Sequence, residues 1–133
     1  MEEQARRTYS AKVFELSRHP RHLGPIQNPN AFGIFKGICG DTMKIYLRIE
    51  KDMVQDAGFE TDGCEVTLAC GSELTEAAIG KHVLEVMSLS SGQLLNSLGG
   101  LPPSHIHCTI LAVTALYGAL SNYLFLKENN RDK

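Results

Sequence analysis

The chain lacks an excess of positive charge, a long uninterrupted apolar run, a Cys-x-x-Cys pair and any internal repeat, and each absence narrows what it does. Thirteen Lys and Arg against fifteen Asp and Glu leave a formal net charge of -2 and a pI near 6.2. That balance lacks the basic footprint of a dedicated nucleic-acid binder, so no nucleic acid is expected as a partner. The most apolar stretch, Cys108 to Leu120, is broken by Thr109, Thr114, Tyr117 and Gly118. It falls short of the roughly 20 apolar residues that a membrane-spanning helix needs, and no membrane partner is expected. Met1 to Ser10 carries Glu2, Glu3, Arg6 and Arg7 without an apolar core, unlike a secretory signal, so the expected location is cytoplasmic. No low-complexity tract or linker divides residues 1–133, which read as one domain with an N-terminal arm and helix over about 1–30 and a flexible tail over about 127–133.

What is present is an ordinary globular composition, 43% hydrophobic and 21% charged, in a chain of 133 residues, long enough to bury a core without disulfides. Thr8 to Ser17 suits a short helix closed by Arg18-His19-Pro20. Ala31–Gly37 and Met43–Glu50 alternate apolar and polar residues as half-buried strands do, and Gln55–Thr61 offers a third strand. After Gly63-Cys64 the period becomes helical through Val66, Cys70, Leu74, Ala77 and Ala78, ending at Gly80. His82–Met87 and Gly92–Leu98 suit two short helices. Ile106, Ile110, Val113, Tyr117, Leu120 and Leu124 step by threes and fours, which predicts a long last helix with that stripe in the core. Strands first and helices afterwards give an α+β fold: a small antiparallel three-stranded sheet covered by helices on one face.

Three of the four cysteines fall at seams between these elements. Cys39 lies in the first hairpin turn, Cys64 at the strand-to-helix junction and Cys108 near the start of the last helix. In a reducing compartment such thiols are more often metal ligands or reactive groups than disulfides. Asp41 and His107 add one further donor each, and Gly37, Gly40 and Gly63 let the chain bend around the first two cysteines. Thiolate with imidazole suits zinc or an iron-sulfur cluster, and both remain open. A closed structural zinc site normally has four ligands, often in tight Cys pairs. Five candidates for four positions suit a site that exchanges ligands. Cys108, at a helix N-terminus beside His107, is expected to be more acidic than a free thiol.

Each residue also has a plainer reading. Cys39, Cys64 and Cys108 could be small buried hydrophobes, and Asp41 a simple turn former. Cys70 shares the stripe of Val66, Leu74 and Ala77 and is expected in the core. His105 is expected to face solvent, and His19, His22 and His82, without thiol neighbours, have no assigned role.

Gly37-Ile38-Cys39-Gly40-Asp41-Thr42-Met43-Lys44, Gly63-Cys64, and Leu101-Pro102-Pro103-Ser104-His105-Ile106-His107-Cys108 with Leu111-Ala112 resemble the IscU/NifU N-terminal family. Tyr9-Ser10, Pro20-Arg21, Leu23-Gly24, Ala69, Ser72 and Thr75-Glu76 extend the resemblance over nearly the whole chain. It implies a scaffold that takes sulfur from a cysteine desulfurase (IscS/NifS-like) and iron with help from a ferredoxin and a frataxin-like protein. The product would be a 2Fe-2S cluster, or a 4Fe-4S cluster shared by a dimer, passed on to apo-proteins. By that resemblance Cys39, Cys64 and Cys108 are ligands, His107 or Asp41 completes the set, Cys108 accepts sulfur as a persulfide, and Asp41 keeps the cluster labile. The cluster-free form would hold zinc or iron, as a monomer or homodimer.

Ser104-His105 stands where the family usually has Val-Lys, the segment read by a DnaK-type chaperone, which argues against chaperone-assisted release. Cys70 and Glu65 replace smaller residues without removing a ligand. Two other functions compete: a zinc-holding sulfur acceptor like the SufU-type sulfurtransferases, and a structural zinc interaction domain. The first usually has an insertion between the second and third ligand cysteines and lacks the histidine before the last one. Here the segment from Cys64 to Cys108 is compact and His107 is present.

Overall fold

The computed structural model describes residues 9–131, with side chains through Asn129. Three strands, β1 (Ala31–Lys36), β2 (Thr42–Glu50) and β3 (Met53–Thr61), form one antiparallel sheet in the order β1-β2-β3. Among the described residues, five helices accompany it: α1 (Ala11–Arg18), α2 (Glu65–Ala78), α3 (Val83–Met87), α4 (Ser91–Ser97) and α5 (His107–Arg131), the last preceded by a 3-10 turn, Pro103–His105. This is the α+β architecture the sequence implies, with the helices on one face. Along β2, Met43, Ile45, Leu47 and Ile49 are buried while Lys44, Tyr46 and Arg48 are only half-buried, the period-two signature of a sheet covered on one side.

Local chemistry sets the element ends. The Ser10 side chain accepts from Val13 N to start α1, and Ser90 with Gln93 forms a reciprocal capping box at α4. The β2–β3 hairpin turns at Lys51 and Asp52, both left-handed at φ 53° and 63°, the geometry that matches strand twist in a tight hairpin. The outer edge of β3 is covered by the arm, since Phe59 N donates to His22 O and Gly24 N to Phe59 O.

The long helix differs from its sequence reading in three ways. Its inward face is Cys108, Leu111, Ala112, Ala115, Leu116, Ala119 and Leu120, whereas Ile106, Ile110, Tyr117 and Leu124 of the expected core stripe are 37%, 51%, 39% and 36% exposed. The cause is a close crossing with β1. A methyl group built on Gly33 would lie 2.1 Å from Ala115 O and 2.4 Å from Ala119 N, so only small residues fit between strand and helix. The helix also runs on to Arg131. Lys127, assigned to a flexible tail, is helical and donates to both carboxylate oxygens of Asp52 at 2.7 Å, while residues 132 and 133 lie outside the described range. Finally, the span Pro103–Asn129 is long and apolar enough to cross a membrane, contrary to the shorter run read from the sequence. Yet 44% of its apolar window is buried inside the domain, so the helix is partly core.

Candidate functional site

The β1–β2 turn, the β3–α2 junction and the start of α5 meet at one end of the sheet. Gly37 N donates to Asp41 O at 2.8 Å and Gly40 N to Gly37 O at 3.0 Å, a tight turn in which Gly40 is left-handed at φ 90°. This turn leaves Cys39 exposed and Asp41 half-buried. The turn is tied to the β3 exit by Thr42 N, which donates to Asp62 Oδ1 at 2.7 Å. Cys64 occupies the N-cap position of α2 with its sulfur not engaged in capping, and it too is exposed. His107 and Cys108 open α5, His107 half-buried and Cys108 only 1% exposed.

Thr67, one turn into α2, joins two of these seams. Its hydroxyl donates to Cys108 Sγ at 3.5 Å and lies 3.8 Å from Cys64 Sγ, and His107 Nε2 is 3.8 Å from Cys108 Sγ on the other side. Gly63 makes room for it, because a methyl there would sit 2.6 Å from Thr67 Oγ1. Cys39 and Asp41 are near enough to act electrostatically on Cys108.

The expectation of an acidic Cys108 is overturned. Burial pushes its thiol up to about 11, and the neighbouring Cys64, Cys39 and Asp41 add to the rise against the lowering by the Thr67 hydrogen bond. The Tyr9 phenol is raised as well, by burial first and then by Cys64, Glu65 and Cys108, which places the arm beside the same site. Cys70 is fully buried as its stripe implies, and burial raises its thiol further still.

Among the described residues, no three His, Cys, Asp or Glu side chains stand close enough together to hold one ion. The structure therefore gathers Cys64 and Cys108 around Thr67, with His107 beside Cys108 and the Cys39–Asp41 turn alongside, but leaves the donors unclosed. Sequence reasoning missed Thr67, whose signal was a polar residue three positions after Cys64 inside an apolar helical stripe. It also left His105 to solvent, whereas that ring is half-buried, stacked near His107 and edge-on to Tyr9. His22 pairs with Glu76, and His82 caps α3, both structural tasks.

Residues 8–130 match the family model of the NifU-like N-terminal domain. An iron-sulfur cluster assembly scaffold protein IscU of Archaeoglobus fulgidus is 36% identical over 126 residues, covering 94% of this chain and 82% of the relative. The IscU scaffold protein of Aquifex aeolicus is 35% identical over 119 residues, 87% of this chain and 76% of its own. Among solved structures, an assembly scaffold protein for the SUF system from Fervidobacterium islandicum has a TM-score of 0.71 over 87% of this chain and 98% of that one. At 23% identity that likeness speaks to the fold alone. A three-stranded antiparallel sheet closed by a long last helix is thus the fold that this chain shares with that structure. The chain belongs to the NifU-like N-terminal domain family.

Proposed function

We infer that this chain is an iron-sulfur cluster assembly scaffold rather than an enzyme. The carrying observation is the open donor set: thiols from different elements converge on one threonine hydroxyl beside an imidazole, with a further thiol and a carboxylate on an adjoining exposed turn. Soft thiolates and imidazole fit iron-sulfur cargo. A permanent zinc centre would normally be four-coordinate and closed. Donors spread over three turns can gather around a growing cluster and part from it again.

In this reading Cys39, Cys64 and Cys108 bind the cluster, with His107 or Asp41 as the fourth ligand, and the oxygen of Asp41 weakens the hold of the set. Cys108 receives sulfur. Its thiolate attacks the terminal sulfur of a desulfurase persulfide, the donor's S–S bond breaks, and the donor cysteine leaves as thiolate, so no oxidant is needed. Because Cys108 is covered, the turn before it has to open for delivery. Iron and electrons come from outside the chain, through a frataxin-like protein and a ferredoxin, and the product is a 2Fe-2S cluster, or a 4Fe-4S cluster across a dimer, given to apo-proteins in the cytoplasm. Ser104-His105 in place of Val-Lys favours release without a DnaK-type chaperone.

The test is anaerobic reconstitution with iron, a cysteine desulfurase, cysteine and reductant. Visible absorption and Mössbauer spectra are recorded before and after an apo-ferredoxin is added. A cluster that forms and then moves to the acceptor is the expected result. Desulfurase turnover that rises with zinc bound, with no cluster formed, would instead make the chain a zinc-holding sulfur acceptor.

A further inference from the structure

Residues two apart in a continuous helix point to different faces and do not meet. His105 and His107 nevertheless stack, with ring centroids 6.4 Å apart and planes 19° from parallel. The change from 3-10 to α geometry at Ile106 makes this possible: His105 N donates to Pro102 O at 2.9 Å, and Thr109 N then restarts the chain of bonds on Ile106 O at 3.0 Å. His105 is held from two further sides. Its ring meets Tyr9 edge-on at 5.8 Å and 87°, and its Nδ1 lies 3.1 Å from Ser104 Oγ. Tyr9 is anchored in turn, since its neighbour Ser10 both caps α1 and donates to Leu98 O.

We propose that His105 is a positioning residue: wedged between Tyr9 and His107, it fixes the ring orientation that keeps His107 Nε2 turned toward Cys108 Sγ, and so readies His107 as a ligand. The proposal rests on the reading of His107 as a donor to the cargo. An imidazole ligand whose ring is free to turn must be ordered when metal arrives, and hydrogen-bonded partners that hold such rings are worth ~10- to 100-fold in metal affinity, an upper bound for a ring held by stacking alone. Nothing else in the described structure packs a ring against His107. The role needs a flat ring at position 105, not an ionisable one.

The test uses zinc alone as the probe, on the full chain, with histidine ring nitrogens followed by NMR and zinc affinity measured by competition with a chelator. In the parent, zinc is expected to move a His107 ring nitrogen to a metal-bound position. His105→Ala is expected to broaden or double the His107 ring signals before zinc is added and to weaken zinc binding by up to about 10-fold. His105→Phe, which keeps the flat ring, is expected to restore both to near the parent. If His107 does not respond to zinc in the parent, the ligand reading itself fails and the proposal goes with it. If His107 responds in the parent but His105→Ala behaves as the parent does, or His105→Phe is as impaired as His105→Ala, the ligand reading stands and the positioning role is wrong. Amide spectra of both variants identify any that fail to fold, and His105→Tyr then takes the place of the phenylalanine variant.

Discussion

Replacing Gly33 with alanine tests whether the close crossing of β1 and α5 sets the position of the site. The new methyl would stand 2.1 Å from Ala115 O, 2.4 Å from Ala119 N and 3.0 Å from Gly118 C. Carbon and oxygen normally approach to about 3.3 Å, so strand and helix must part by roughly an ångström. All three neighbours are backbone atoms, which cannot swing aside as a side chain would. Two effects oppose each other. Alanine in a strand interior gains ~0.5–1 kcal/mol over glycine through backbone entropy. Overpacking a filled interior costs ~1–3 kcal/mol and occasionally more. With three backbone neighbours that cannot yield, the cost lies at the upper end of that range, so overpacking wins with a net loss of about 2 kcal/mol. At a urea slope of ~1–3 kcal/mol per molar, the unfolding midpoint should fall by about 1 M. Because α5 begins with His107 and Cys108, cluster yield on reconstitution should fall in the protein that remains folded. Gly118→Ala supplies the opposite sign across the same crossing. Its methyl would meet Gly33 Cα at 3.6 Å, an ordinary contact, while helix propensity gains up to ~1 kcal/mol. An unchanged midpoint for Gly33→Ala, or a larger loss for Gly118→Ala, would refute the crossing as the element that seats the helix.

Asp52 is held below its ordinary value of 3.8 chiefly by hydrogen bonds from Lys127 and then Tyr123, so its stabilisation is present above that value and is lost as pH falls through the lowered folded value. Urea midpoints of the parent and Asp52→Asn should therefore differ at pH 7 and converge as pH is taken well below 3.8; a gap that persists in strong acid would mean that charge is not the cause. With iodoacetamide at pH 8, mass mapping should find Cys39 and Cys64 modified first, Cys108 far later and Cys70 only on unfolding. A thiol moved from 9.0 to about 11 has roughly a hundredfold less thiolate at that pH. The same raised value predicts stability that is full below about 9 and declines as pH climbs through about 11, which pH-dependent melts of the parent and Cys108→Ala can compare. Asp41→Ala should hold a reconstituted cluster longer than the parent when absorbance decay is followed with a chelator present, and equal lifetimes would remove the labilising role.

Most of the fold was legible because its signals are local. Alternation marks β2 as a half-buried strand, and the serine and glycine punctuation places the short helices to within a few residues. The inward face of α5 was not legible, for a physical reason. The helix is apolar on several sides, so periodicity finds a stripe of large residues but cannot say whether that stripe or a smaller one faces the sheet. The deciding fact is Gly33 on a distant strand, whose missing side chain lets Ala115 and Ala119 lie against it and leaves Ile110 and Tyr117 outside. Tyr117 then spends its hydroxyl on Leu89 O at the surface. The β2–β3 turn was hidden in the same way, because Lys51 is an unusual residue for left-handed backbone, which Asp tolerates better, and Tyr123 and Lys127 hold Asp52 from 71 and 75 positions away.

The site divides along the same line. Cys39, Asp41, Cys64, His107 and Cys108 stand out in sequence because their residue types are rare and sit at turns. What organises them does not stand out: Thr67 belongs to the second of the three seams yet bonds across to the third, and His105 acts through a neighbour two places on. The acidity of Cys108 shows how a local rule can point the wrong way. A helix N-terminus favours a thiolate by ~0.3–1 kcal/mol, less than the 1.36 kcal/mol that one pKa unit represents. Burial can shift a group by several units. A thiol at 1% exposure with Cys64, Cys39 and Asp41 nearby therefore stays protonated although it lies in the first turn of α5. The local term was read correctly and was simply the smaller one. A bound cation reverses the balance, since a coordinating thiol is deprotonated outright. If Cys108 is a ligand as proposed, the helix terminus and the Thr67 hydroxyl would then favour the thiolate they already face, so the groups that lose in the metal-free protein would stabilise the loaded one.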